Sequence, residues 1–145
     1  MNSLLGDLLN AVYWVDESLQ LSLDKAGFDR VPRSWSMIMI NLSNGVTRPI
    51  KIANNMGVSR QAIHKTLEDM QSRGLVEIKP DPSDGRATVV RVSPKAREIQ
   101  QAATQSLQEI EHALGQRIGA NKLKALKAAL REDWGDKVAC DTASP

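Results

Sequence analysis

The sequence predicts a mainly α-helical chain carrying one small β-hairpin, an α+β arrangement. Three observations predict it. Apolar residues recur at helical spacing near both ends and in the middle of the 145 residues. Residues 75–93 pair two β-rich runs around a cluster of turn formers. Gly57 and Gly74 interrupt the helical pattern where a left-handed residue ends a helix.

The first helix is expected from Ser3 to about Ser22, with Leu5, Leu8, Leu9, Val12 and Leu19 on one stripe. Asp16 falls within that stripe. It is either a pocket acid or an acid at an interface edge or beside a cation, since a lone buried carboxylate is costly. Residues 25–32 read as a loop. Ser34 to about Leu42 is a short apolar helix whose Trp35, Met37, Ile38 and Ile40 are assigned to the core. A further short helix spans Arg48 to about Met56, with Thr47 as its N-cap and Pro49 tolerated in its first turn. The next runs from Ser59 to about Ser72 and Gly74 ends it. Strands Leu75–Lys79 and Ala87–Ser93 flank a turn-rich segment, Pro80–Arg86. Pro94 opens a long helix to about Ile118, striped by Ile99, Ala103, Leu107, Ile110 and Leu114. A last helix, from about Lys122 to Trp134, carries Leu123, Leu126, Leu130 and Trp134 on one face.

Both ends are therefore long amphipathic helices, and each apolar stripe has to be buried. The middle is too small to cover them all, so a second copy of the chain is the expected partner. The division expected is 1–32 as an N-terminal dimerisation helix and loop, 33–97 as a central domain, 98–134 as C-terminal dimerisation helices and 135–145 as a flexible tail.

The formal net charge of +2 is small, but its distribution is uneven. Thr47 to Arg97 holds ten Lys/Arg against five Asp/Glu, and the remaining residues hold nine against twelve. A basic middle between slightly acidic ends suits contact with a polyanion. No run approaches a membrane span, and the N-terminus is a poor signal peptide, so a soluble, cytoplasmic protein is expected. The single cysteine, Cys140, excludes an internal disulfide framework and reads as an incidental thiol. The two histidines, His64 and His112, are far apart, and Walker, GxSxG and zinc-spaced patterns are absent. Neither an enzyme nor a cofactor nor a metal site is expected. Lys124, Lys127 and Arg131 read as a solvated face.

The segment VSRQAIHKTLEDMQSRG, Val58 to Gly74, is the most informative. At about 100° per residue, Ile63, Leu67 and Met70 share one narrow face. Gln61, Lys65, Glu68 and Ser72 lie opposite, with Arg60 and His64 on a shoulder. Cations in the first turns oppose the helix dipole by a few tenths of a kcal/mol. A polyanion reverses that sign, because dipole, free N–H groups and cations then all attract it. Upstream, Ala53, Gly57 and Ile63 have the spacing of a helix-turn-helix: a small residue, a turn glycine, then an apolar residue locking the second helix. Such a helix enters a major groove, where Arg reads guanine and Gln reads adenine. In the hairpin, Asp84 and Arg86 flank Gly85. Arg86 either reaches a minor groove, oriented by Asp84, or forms an ordinary surface ion pair with it.

Val58 to Ile99 resembles the MarR family of bacterial winged-helix regulators. VSRQAIHKTLEDMQSRG looks like its recognition helix and DPSDGRA like its DxR wing. The resemblance implies a winged helix-turn-helix domain in a homodimer that binds a pseudo-palindromic double-stranded operator. It implies a repressor released by a small aromatic effector. Ser59, Arg60, Gln61 and Lys65 would then face the major groove or its phosphates, and Asp84 with Arg86 would form the wing-tip pair. Tyr13, Trp14, Trp35 and Met39 would line an effector pocket. The chain departs from the pattern at Gly85, where a basic residue is common, and at His64, which either touches DNA or only fills the helix shoulder. Asn54 and Asn55 make the first helix of the pair unusually polar. The alternative is a winged-helix module for protein–protein assembly.

Overall fold

The computed structural model describes residues 2–142. Six helices and one hairpin follow in the expected order: α1 (Leu4–Lys25), α2 (Arg33–Ser43), α3 (Pro49–Met56), α4 (Arg60–Ser72), β1 (Val76–Asp81), β2 (Asp84–Val92), α5 (Arg97–Ile118) and α6 (Ala120–Arg131). Two compact units are present, one ending at Ile110 and the other beginning at Glu111.

The first unit is built on a core of Ile38, Ile52, Ala53, Ile63, Leu67, Met70, Val76 and Val90. One apolar face each of α2, α3 and α4 meets one face of the hairpin there. Ile38, Leu67 and Met70 are fully buried. Gly57 adopts φ 67°, ψ 29° between α3 and α4. Nothing stands within 4 Å of where a Cβ would sit, so the left-handed backbone alone asks for glycine here. Val58 donates back to the Ala53 carbonyl at 3.1 Å and closes the turn.

The hairpin pairs antiparallel from Val76 opposite Val92 to Pro80 opposite Thr88, with an irregularity between Pro80 and Asp81. It is fixed to the helices by the Val90 N–H, which donates to the Thr47 carbonyl at 2.8 Å. A second cluster joins α1 to α5 through Leu19, Leu23 and Ile110, with Phe28, Ile99, Ala103 and Leu107 packed beside them.

Several expectations need correction. α1 continues to Lys25, because Leu23 is buried against α5 and extends the apolar stripe. Arg48, not Thr47, is the N-cap of α3, and no side chain caps it. Thr47 instead lends its carbonyl to β2. The turn-rich segment is shorter than expected: the strands run on to Asp81 and from Asp84, leaving Pro82 and Ser83 between them. Ile40 is 41% exposed rather than core. A 3₁₀ turn, Pro94–Ala96, precedes α5. α6 begins at Ala120 and stops at Arg131; Trp134 lies beyond it and its indole N–H donates to the Ala129 carbonyl at 3.0 Å.

Asp16 is buried and paired: Oδ2 accepts from Arg33 Nε at 2.9 Å, and Arg33 stacks 4.5 Å from the Tyr13 ring centroid. In the second unit, Lys127 pairs with Glu111 at 2.5 Å. Leu5, Leu9 and Val12 of α1 remain exposed, as do Leu126, Leu130 and Trp134. No helix among the described residues is long and apolar enough to cross a membrane.

Leu67 is among the core residues that are 0% exposed. Leu67→Ala should lower stability by about 2–5 kcal/mol. Urea denaturation followed by circular dichroism measures it, and a loss below about 1 kcal/mol would contradict this packing.

Candidate nucleic-acid interface

Ser59 opens α4 with extended backbone, and its hydroxyl accepts from the Ala62 N–H at 3.0 Å. No acid sits in the first turn. Burial of Ile63, Leu67 and Met70 then decides what faces out: Ser59, Arg60, Gln61, His64 and Lys65 are all exposed. Arg60, Gln61, His64, Lys65 and Glu68 border one shallow depression along the outside of the helix.

A second depression joins three elements. Arg48, Pro49 and Ile50 come from the start of α3, Arg60 and His64 from α4, and Arg86, Ala87 and Thr88 from β2. The fold thus brings Arg60, His64 and Arg86 to a single cleft. Three arginines line it and, among the described residues, no carboxylate does. Gln61 and Lys65 stand outside this cleft, on the adjoining outer face.

Asp84 does not hold the Arg86 guanidinium. Its Oδ1 accepts from the Arg86 backbone N–H at 3.1 Å, and no ion pair among the described residues joins the two side chains. A short carboxylate two residues before an amide bonds that amide readily in a turn, which leaves the guanidinium exposed.

The wing is organised by Asp81. Its Oδ1 accepts from both the backbone N–H and the hydroxyl of Ser83, each at 2.8 Å, while Oδ2 pairs with Arg48 Nη2. These bonds hold the Asp81 carboxyl below its ordinary pKa of 3.8. The Ser83 N–H lowers it most, then the Ser83 hydroxyl; burial opposes them, and the Arg48 charge adds to the lowering. Sequence reasoning missed both Asp81 and Arg48. The spacing of Asp81 to Ser83 was a readable turn signal; nothing local announced a bond across 33 positions.

An apolar pocket of about 100 Å³ lies among α1, α2 and α5. Trp35 and Met39 line it, with Leu19, Leu23, Ile99 and Leu107. Tyr13 and Trp14 do not, contrary to expectation: they are exposed on α1, and the Tyr13 ring is taken up by Arg33.

A helix-turn-helix with an outward cationic face, followed by a hairpin whose arginine reaches the same cleft, defines a winged helix-turn-helix protein. Residues 31–87, under half of the chain, match the model of the MarR family, and the chain has a fold similar to that of MarR from E. coli, at a TM-score of 0.63, 19% identity, and coverage of 90% of this chain and 97% of that one. The chain is 31% identical over 101 residues to the HTH-type transcriptional repressor IacR of Pseudomonas putida, across 70% of this chain and 57% of that protein. It thus spans little more than half of that relative's length. The transcriptional regulator PA4135 has a similar fold, at a TM-score of 0.71, 20% identity, and coverage of 90% of this chain and 94% of that one. The repressor CouR, solved bound to a 23-mer DNA duplex, superposes with a TM-score of 0.65 and 23% identity, across 88% and 89% of the two chains. CouR of Rhodococcus jostii RHA1 has also been solved bound to p-coumaroyl-CoA.

The Asp81 bonds imply an acid-sensitive contribution to stability. A lowered folded-state pKa stabilises fully above the ordinary value of 3.8 and loses that effect as pH falls through the lowered one. The stability gap between the unaltered chain and Asp81→Asn should therefore be open at neutral pH and close as pH drops below about 4. Urea midpoints across pH test this, and a gap that widened on acidification would reverse the assignment.

Proposed function

We propose that the chain is a transcription regulator that binds a pseudo-palindromic double-stranded operator as a homodimer and acts as a repressor. The observation that carries this reading is the convergence of Arg60, His64 and Arg86 on one carboxylate-free cleft, beside the exposed Gln61 and Lys65 of α4. In this reading α4 enters the major groove, where Gln61 and Arg60 read base edges. Ser59 and Lys65 meet phosphate oxygens, and Arg86 reaches from the wing towards the minor groove. Asp84 shapes the turn that presents Arg86. The DNA-bound CouR structure and the repressor name of IacR support the reading.

The dimer reading is supported by the exposed Leu5, Leu9 and Val12 and by Leu126, Leu130 and Trp134, apolar side chains left uncovered in a single chain. α1, α5 and α6 then form the arms that join two copies, and the two α4 helices read half-sites about one helical turn apart.

A small aromatic effector is proposed for the pocket beside Trp35 and Met39. At about 100 Å³ the pocket is smaller than the dry cavity of about 150 Å³ that holds a benzene ring, so one ring enters only if the walls move outward.

Fluorescence anisotropy with duplexes from the flanking intergenic DNA tests the function. Affinity should fall steeply with salt, because phosphate contacts release counterions. Arg86→Ala should weaken binding and leave thermal stability nearly unchanged, since Arg86 is exposed. Gln61→Ala should relax base preference more than total affinity. Salt-independent binding, or an equal loss with Gln61→Ala on every sequence, would contradict these roles. Equal affinity for all duplexes together with a stoichiometric protein partner would favour an assembly module instead.

A further inference from the structure

Resting on the duplex-binding reading above, we propose that Arg48 is a DNA-phosphate contact and that Asp81 is the residue that positions it. Arg48 stands at the start of α3, outside the recognition helix and the wing. It lines the cleft with Arg60, His64 and Arg86. Its side chain is 43% exposed, while that of Asp81 is 8% exposed.

The guanidinium carries five N–H donors in a rigid fork. Among the described residues its one hydrogen bond runs from Nη2 to Asp81 Oδ2. The remaining donors are uncommitted. Asp81 does not drift with Arg48, because Ser83 holds its other oxygen through two bonds of 2.8 Å. Arg48 is therefore anchored on one edge and open on another, a geometry that suits a planar fork bridging a carboxylate and a phosphate. The same bond ties the start of α3 to the turn end of β1, at the tip of the wing.

Two effects of Asp81 on a polyanion oppose each other. Its charge repels phosphate, so simple electrostatics predicts that Asp81→Asn tightens binding. Its hold on Arg48 orders a long cation that otherwise samples many rotamers, so positioning predicts weaker binding. The sign of the effect separates them.

The test is anisotropy on a labelled mixed-sequence duplex about three helical turns long, read across a salt series. Arg48→Ala, present in both protomers, should reduce the slope of log K against log salt by about two, one per protomer, and weaken binding at least about tenfold at moderate salt. Should Arg48→Ala not fold, Arg48→Gln removes the same charge and carries the same expectation. Asp81→Asn should weaken binding several-fold, and far less so in the Arg48→Ala background, where there is no guanidinium left to orient. An unchanged slope in the Arg48 variants, while the unaltered chain binds, would overturn the contact alone. Tighter binding by Asp81→Asn, or an equal loss in both backgrounds, would overturn the positioning role. If the unaltered chain bound no duplex at any salt, the regulator reading would fall and this inference with it.

Discussion

The burial of one narrow face of α4 governs everything else at the interface. Ile63, Leu67 and Met70 enter a core shared with α2, α3 and the hairpin. A helix has a single rotational setting that buries all three. Once that setting is fixed, Arg60, Gln61, His64 and Lys65 have only the outside to occupy. The hydrophobic effect thus aims side chains that it does not itself touch. Any shift in how α4 rolls on Ile38 and Ile52 would re-aim the cationic face as a unit.

That face works against the helix that carries it. Arg60 and Lys65 lie near the positive end of the dipole, and no acid in the first turn relieves them. Ser59 answers one orphan N–H and leaves others available. The arrangement costs little in the free chain and becomes favourable only beside negative charge. The wing follows the same logic. Its interior carboxylate, Asp81, is consumed by Ser83 and Arg48, and Asp84 bends to a backbone amide, so neither neutralises Arg86. Asp81 and Asp84 are spent on shape, and Arg86 is kept outward.

The two arms of the chain raise a different physical question. α1 is buried at Asp16, Leu19, Gln20 and Leu23 yet exposes Leu4, Leu5 and Leu9 nearer its start. Its two halves live in different environments. The polar residues in the buried half are matched: Asp16 takes Arg33, and Gln20 bridges the Ser36 hydroxyl at 3.0 Å and the Val31 N–H at 3.2 Å. Only the Asp16 Oδ1 lacks a partner among the described residues. The first half of α1 leaves its apolar stripe uncovered within the single chain.

By itself the sequence determined the order of elements, the glycine turn at 57, the inward face of α4 and the hairpin, because period, turn chemistry and capping act over a few neighbouring residues. It also marked Arg60 and Arg86 as outward cations, with His64 beside Arg60 on the helix shoulder. It misread the cap at Thr47, whose carbonyl serves β2, the length of the turn after Pro80, and the pairing of Asp84. Only the tertiary structure decided that Arg60, His64 and Arg86 share a cleft with Arg48, that Asp81 holds Arg48, and that Tyr13 stacks with Arg33 rather than lining the pocket. Each depends on residues distant in sequence arriving at one place, and no local pattern encodes the distance between two elements after they pack.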